Sequence, residues 1–325
     1  MKKILIIFLI FPVGSLFAQL FPTLGGQRAG ISAVQFLKIG VGGRAASLGD
    51  AFVAVANDAS SLYWNPAGAV QAEGTQILIS QNYWVADINH QFAGGIYHFS
   101  KNDAVGLSLT ALNTDDMPVT TEFMPFGTGE YFSFGDFAVG LTYSRQMTEQ
   151  FSFGITLRYV EETLDKLKMR GVVLDLGTLY WTGLGTTRFA VAITNFGNEF
   201  TPGGKVLLWG KREKSDWQSF SPPIMFRMGF AFDPYQTQSH RITASVQLNH
   251  PNDNSENVSA GLEYSWKEIF YLRAGYKFNV EEQNYSFGTG ISVPLGIAKV
   301  TFDYGFANFE RLGSAHRLSI LLALY

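Results

Sequence analysis

Phe151-Ser152-Phe153-Gly154-Ile155-Thr156-Leu157-Arg158-Tyr159-Val160 is the stretch on which the fold turns. Its odd positions are large and apolar, whereas Ser152, Gly154, Thr156 and Arg158 are small or polar. Successive strand side chains point to opposite faces, so this period of two describes a strand with one apolar and one polar face. The pattern repeats to the end of the chain. Ile242, Ala244, Val246 and Leu248 alternate with Arg241, Thr243, Ser245 and Gln247. Val258, Ala260, Leu262, Tyr264 and Trp266 alternate with Asn257, Ser259, Gly261, Glu263 and Ser265. Tyr285, Phe287, Ile291 and Val293 oppose Ser286, Gly288, Gly290 and Ser292, and Val300, Phe302, Tyr304 and Phe306 oppose Lys299, Thr301, Asp303 and Gly305.

Working outward, fourteen candidate strands lie near 76–84, 90–99, 103–113, 130–146, 151–163, 169–182, 186–197, 223–233, 240–249, 256–266, 269–279, 284–294, 297–306 and 315–325. Most reach the ~9 to 11 residues that cross a bilayer at a tilt. Every second connection is short, for example Ser100 to Asp103, Thr148 to Gln150 and Lys267-Glu268, while the others include the stretches 114–129, 198–222 and 307–314. Short turns at one end and longer loops at the other are the asymmetry of an outer-membrane barrel. A soluble barrel or sandwich also alternates, but it hides its apolar face and rarely needs fourteen strands. Charged residues make up 16% of the chain and aromatics 15%. The charged share is well below the ~25% of soluble domains, as expected where lipid covers part of the surface. Past the N-terminus no segment offers the ~20 apolar residues of a membrane helix, so a spanning structure must be a closed barrel, which pairs every backbone group. The last residues, Leu321-Leu322-Ala323-Leu324-Tyr325, end an apolar strand on an aromatic, a form suited to the barrel-insertion machinery.

The N-terminus carries Met1, Lys2 and Lys3, an apolar run from Ile4 to Leu16 broken by Pro12, Gly14 and Ser15, and a small-residue site at Ala18-Gln19. These read as a removed secretory signal over 1–18, leaving an N-terminal segment over 19–74 and a barrel over 75–325. A net charge of −3, from 24 Lys+Arg and 27 Asp+Glu, without basic clusters, excludes a nucleic-acid binder. The absence of Cys removes disulfides, thiolate metal sites and Cys nucleophiles.

Residues 19–74 do not alternate, and small residues dominate from Phe36 to Gly68. That suits backbone packed closely inside something. Asp58 is placed to cap a short helix over Ala59 to Trp64, and Pro66 disfavours helix at Asn65, so the helix stops there. Arg44, Asp50 and Asp58 are costly against lipid and suit a polar lumen wall. The run ending Trp64-Asn65-Pro66-Ala67-Gly68, followed by fourteen strand signals, resembles the PorV/PorQ family of outer-membrane proteins. More distantly it is similar to the FadL fatty-acid transporters, whose N-terminal hatch carries an Asn-Pro-Ala motif that falls here on Asn65, Pro66 and Ala67. The resemblance implies an all-β, transmembrane antiparallel barrel with a hatch in the lumen, in the bacterial outer membrane. It also implies a part in type IX secretion, with secreted proteins bearing C-terminal β-domains or components of that system as partners, beside outer-membrane lipid.

Other motifs carry less. Gly40-Val41-Gly42-Gly43-Arg44-Ala45 matches a dinucleotide pattern by letter, but no βαβ unit or acidic ribose ligand follows, so a turn inside the hatch is expected. The five histidines lack metal-ligand spacing and read as lumen, loop or interface residues. There is no Gly-x-Ser-x-Gly elbow; no enzyme, metal or cofactor is expected. Asn252-Asp253-Asn254-Ser255-Glu256 reads as a solvated external loop, and Glu161-Glu162 and Glu281-Glu282 as strand-end charges beside headgroups. The loop from Gly197 to Pro223 joins Val206, Leu207, Leu208 and Trp209 to Lys211, Arg212, Glu213 and Lys214. An apolar stretch beside a charge cluster suits docking of a partner's β-domain or gating of a hydrophobic ligand. Two roles follow: a non-enzymatic barrel that binds or shuttles proteins, or a channel for small hydrophobic molecules with a pocket around Phe52, Leu62, Tyr63 and Trp64.

Overall fold

Alternation of the kind seen at 151–160 builds the whole wall. The computed structural model describes residues 30–208, 212–280 and 283–325; the signal expected at 1–18, Trp209, Lys211 and the pair at 281–282 lie outside them. Fourteen antiparallel strands close on themselves. They are β1 (Thr75–Tyr83), β2 (Asn89–Ser100), β3 (Asp103–Asn113), β4 (Phe134–Gln146), β5 (Phe151–Leu164), β6 (Leu167–Trp181), β7 (Arg188–Gly197), β8 (Met225–Gln236), β9 (His240–Pro251), β10 (Asn257–Trp266), β11 (Phe270–Phe278), β12 (Tyr285–Leu295), β13 (Ala298–Asn308) and β14 (Ser314–Leu324). β1 closes the ring on β14, with Thr75 opposite Leu324 and Tyr83 opposite His316. Closure leaves no edge to aggregate and no unpaired backbone facing lipid. No helix among the described residues is long and apolar enough to cross a membrane.

The apolar face points out. On β5, Leu157 and Tyr159 are exposed while Thr156 and Arg158, which alternate with them, are buried. Outward aromatics gather toward both ends of the strands. Tyr285, Phe306, Tyr304 and His316 contact one another at one end, and His240, Tyr264, Trp266 and Phe270 stack in pairs at the other. Such belts mark the two interfaces of a bilayer.

Connections 101–102, 147–150, 182–187, 237–239, 267–269 and 296–297 share one end, the short-turn end. The opposite end carries the long connections 114–133 and 198–224. The expected stretch 307–314 contracts to 309–313, because β13 runs on to Asn308 and β14 begins at Ser314. Within 114–133, Met117–Pro118 pairs with Tyr131–Phe132; within 198–224, Val206–Leu208 pairs with Arg212–Lys214. The register of the wall shifts between His98 and Ser100 on β2, between Phe232 and Tyr235 on β8, and between Leu174 and Leu176 on β6, where Asn195 of the facing β7 adopts a φ of 62°.

Inside the ring runs the N-terminal segment. It enters at the long-loop end, where Ser32 bridges to Ser221, and leaves into β1 at the short-turn end. On the way it forms a 3-10 turn over Gln35–Lys38, α1 (Gly43–Ser47), α2 (Ser61–Trp64) and a second 3-10 turn over Pro66–Gln71. α1 packs on β11 to β14 and the second 3-10 turn on β3 to β6, so the segment touches opposite sides of the wall. Its apolar side chains form the centre of the largest core cluster, including Phe52, Leu62, Tyr63 and Trp64. These four are buried in that core.

Candidate functional site

The run Trp64 to Gly68 is the joint between this plug and the wall. Pro66 forbids Asn65 a helical conformation, and Asn65 is extended at φ −161°, ψ 104°, so α2 ends at Trp64. That frees the Asn65 side chain, which is fully buried. Its Nδ2 donates to the carbonyls of Val53 at 3.0 Å and Thr178 at 3.1 Å, and its Oδ1 accepts from the amide of Ala67 at 3.1 Å. One amide therefore holds an earlier plug segment, a barrel strand and the start of the next turn. Pro66 occupies the first turn, where no amide donor is required. The wall makes room with glycine. A Cβ on Gly177 would lie 2.1 Å from Asn65 Oδ1, and one on Gly154 would lie 2.3 Å from the Pro66 carbonyl carbon. Trp64 donates its indole N–H to the Val41 carbonyl at 3.0 Å, and Arg227 of β8 sits over both Tyr63 and Trp64.

The three charged residues at 44, 50 and 58 pair with the lumen wall or with each other. Arg44 forks onto Glu263 at 2.9 and 3.0 Å and reaches Asp58 at 3.1 Å. Glu263 also takes Arg273 at 2.6 Å, and Arg273 takes Asp303 at 2.6 Å. The result is a buried chain of alternating charge, Asp58–Arg44–Glu263–Arg273–Asp303. Asp50 accepts from Lys277 and, at 3.0 Å, from Arg317. Burial opposes the charge on Asp50, but Lys277 and Arg317 outweigh it and hold the carboxyl below its ordinary range. Burial likewise works against Arg44, and Glu263 and Asp58 hold its guanidinium above the ordinary value. Asp58 does not cap α2 as expected: α2 starts at Ser61, two residues later, its N-cap is Ser60 without a side-chain capping bond, and Asp58 Oδ1 instead accepts from the Ser60 amide at 2.9 Å. Gly42, at φ 84°, turns the chain into α1, so the glycine-rich run is a turn inside the plug.

Several partners escaped a linear reading. Gln247 Oε1 accepts from the amides of both Phe52 and Val53, at 2.9 and 2.7 Å. Glu161 and Glu162 part company: Glu161 faces outward to Lys168 and Arg170, whereas Glu162 is buried and accepts the Val34 amide at 2.7 Å. Adjacent strand residues must face opposite sides, so only one of the pair is free for headgroups. The 252–256 loop is not simply solvated, because Asp253 is buried and accepts from Lys38 and Gln35, each at 2.7 Å. Burial opposes its charge, and these two hydrogen bonds hold it below the ordinary carboxylate range. The available signal was alternation itself, since Gln247, Glu263, Arg273, Lys277 and Asp303 all fall on the polar, lumen-facing positions.

Cavities of about 150 and 100 Å³ lie at the short-turn end of the plug, both lined by Arg44, Asn57 and Arg241. Among the described residues no group of three or more His, Asp or Glu is placed to hold a metal. Of the proposed docking loop, Val206 to Leu208 and Arg212 lie in a small hairpin, and Lys214 stands over the Trp217 ring.

A model of the type IX secretion system protein PorV matches residues 24–251, which takes in the plug, both long loops and nine of the strands. The chain belongs to the PorV family. No curated protein sequence matches it. Among solved structures it is similar to the CymD monoaromatic hydrocarbon channel, at 13% identity and TM-score 0.58 over 87% of this chain and 96% of that one. It is also similar to the Ralstonia pickettii toluene transporter TbuX, at 11% identity and TM-score 0.57 over 87% and 97%. A Pseudomonas aeruginosa FadL homologue matches at 9% identity and TM-score 0.58 over 87% and 98%. At such identities the likeness is one of fold. This PorV-family protein is thus a bacterial outer-membrane β-barrel of FadL-like architecture, related to type IX secretion.

Proposed function

We propose that the protein is a non-enzymatic barrel that binds or shuttles secreted proteins with C-terminal β-domains, or components of the type IX system, through its long-loop end. The observation that carries this reading is the plug. Buried ion-pair chains and an apolar core cross the lumen from β11–β14 to β3–β6, which leaves the loops as the surface for macromolecules. The connections 114–133 and 198–224 supply that surface, the second carrying the hairpin at 206–214. On this reading the short turns face the periplasm. Removing residues 206–214 should abolish co-purification of secreted β-domain proteins from the native outer membrane. Undiminished recovery would move the contact elsewhere.

A channel for small hydrophobic molecules is the second reading, favoured by the register break between β6 and β7 and by the fold shared with hydrocarbon channels. It requires the core around Phe52, Leu62, Tyr63 and Trp64 to open. Fatty acid retained by the purified barrel and lost in Trp64→Ala would support it.

A further inference from the structure

Toward the long-loop end of the lumen, three buried polar side chains sit side by side on neighbouring strands. Asn82 of β1 lies opposite Arg317 of β14 on one side and opposite His90 of β2 on the other. All three face the lumen, each only 1% exposed, and paired residues on one face of a sheet stand about 5 Å apart. Among the described residues, Arg317 Nε, His90 Nε2, Asn82 Nδ2 and Asn82 Oδ1 have no hydrogen-bond partner. A buried polar atom left unpaired is costly, and four of them in three adjacent side chains point to a ligand held between them. Arg317 Nε and Asn82 Nδ2 can only donate, and His90 Nε2 donates in one of its tautomers, so donors dominate the group.

The charge beside them has the matching sign. Asp50 of the plug accepts from both Lys277 and Arg317, two cations on one carboxylate, and Lys277 spends its other bond on the neutral Gln283. The ion group therefore keeps one surplus positive charge at a guanidinium that is 1% exposed, and a charge so deeply buried calls for a counter-charge within reach. Trp84, two residues beyond Asn82 on the same face, roofs the group: its ring lies 5.5 Å from the Arg317 guanidinium and packs edge-on against Phe309 at 4.5 Å. We propose that Arg317 Nε, Asn82 Nδ2 and His90 Nε2 bind one small monovalent anion of the halide type in the lumen beside the plug. The single surplus charge and the enclosed setting select a halide over the larger, doubly charged sulfate. Bound there, the anion neutralises the group and holds Arg317 in place for Asp50, which fastens the plug to β14.

Hydrogen exchange of the full-length barrel in detergent tests this, with chloride exchanged for gluconate, an anion too large for the site, at constant ionic strength so that screening does not change. Raising chloride from about 1 to about 100 mM should slow exchange in peptides covering residues 39–52 about tenfold, for a site of about 10 mM affinity that is lost when the plug opens. Asn82→Asp puts a carboxylate of the same size opposite Arg317. In that variant the chloride effect should vanish while 39–52 stays protected at low chloride, and heat-modifiable gel migration verifies that it is folded. Anomalous diffraction from crystals grown in bromide should place a bromide ion within hydrogen-bond reach of Arg317 Nε and Asn82 Nδ2. No anomalous peak beside Arg317, which would leave water as the partner of these atoms, overturns the site. A chloride effect that persists in folded Asn82→Asp overturns it as well, because the anion would then act elsewhere.

Discussion

Replacing Asn65 by alanine should loosen the plug without opening the barrel. The substitution removes three hydrogen bonds, to Val53, Thr178 and Ala67, in a position closed to solvent. At a net ~1 kcal/mol each the loss is about 3 kcal/mol. With 1.4 kcal/mol for each factor of ten, local opening of the plug becomes about a hundredfold more frequent. Hydrogen exchange read by mass spectrometry reports local opening directly. Peptides covering residues 52–72 should exchange about a hundredfold faster than in the parent protein, while peptides from β10 to β13 keep their rates. The separation is expected because Asn65 ties only plug and β6 together, and the other strands hold one another through their ladders. Unchanged exchange in 52–72 would refute the role given to Asn65. Equal acceleration in plug and strands would refute the plug's independence from the wall.

Gly177→Ala places a methyl group 2.1 Å from Asn65 Oδ1, and overpacking of about 1 to 3 kcal/mol should raise ion conductance in planar bilayers; conductance equal to the parent's would contradict the close fit. Asp50 has its pKa lowered in the fold, so its contribution to stability is complete above the ordinary carboxylate value of ~3.9 and is lost as pH falls through the lower folded value. Protection of residues 43–50 should therefore hold from pH 7 to about 5 and decline only in stronger acid, a decline that Asp50→Asn should remove. Asp253→Ala should free Lys38 and speed tryptic cleavage after it, leaving α1 unaffected; an unchanged cleavage rate would show that the external loop does not clasp the plug.

Fold class was legible because alternation is local. Strands as far apart as 151–160 and 297–306 could each be read alone, and closure followed from the requirement that no backbone group be left unpaired in lipid. Pro66 likewise fixed the end of α2 through its immediate neighbour. The plug was visible as a segment where alternation fails, and its charged residues as groups in need of a polar wall.

What the wall offered them was not visible. Arg44 finds Glu263 and Asp50 finds Arg317 across more than two hundred residues. Alternation assigns a side chain to the lumen but gives neither its height on the barrel nor the plug residue opposite it. Those depend on the register of all fourteen strands and on the path of the plug among them, both set by packing over the whole ring. The same holds for Glu162, Gln247 and Asp253, whose sequence surroundings are ordinary and whose partners are brought to them only by closure of the barrel. The chain by itself therefore determined a membrane barrel with a segment inside it. Tertiary structure alone decided which buried charges are neutralised and where the plug is fastened, because a buried polar group is satisfied by whatever lies within about 3 Å of it, however distant in sequence.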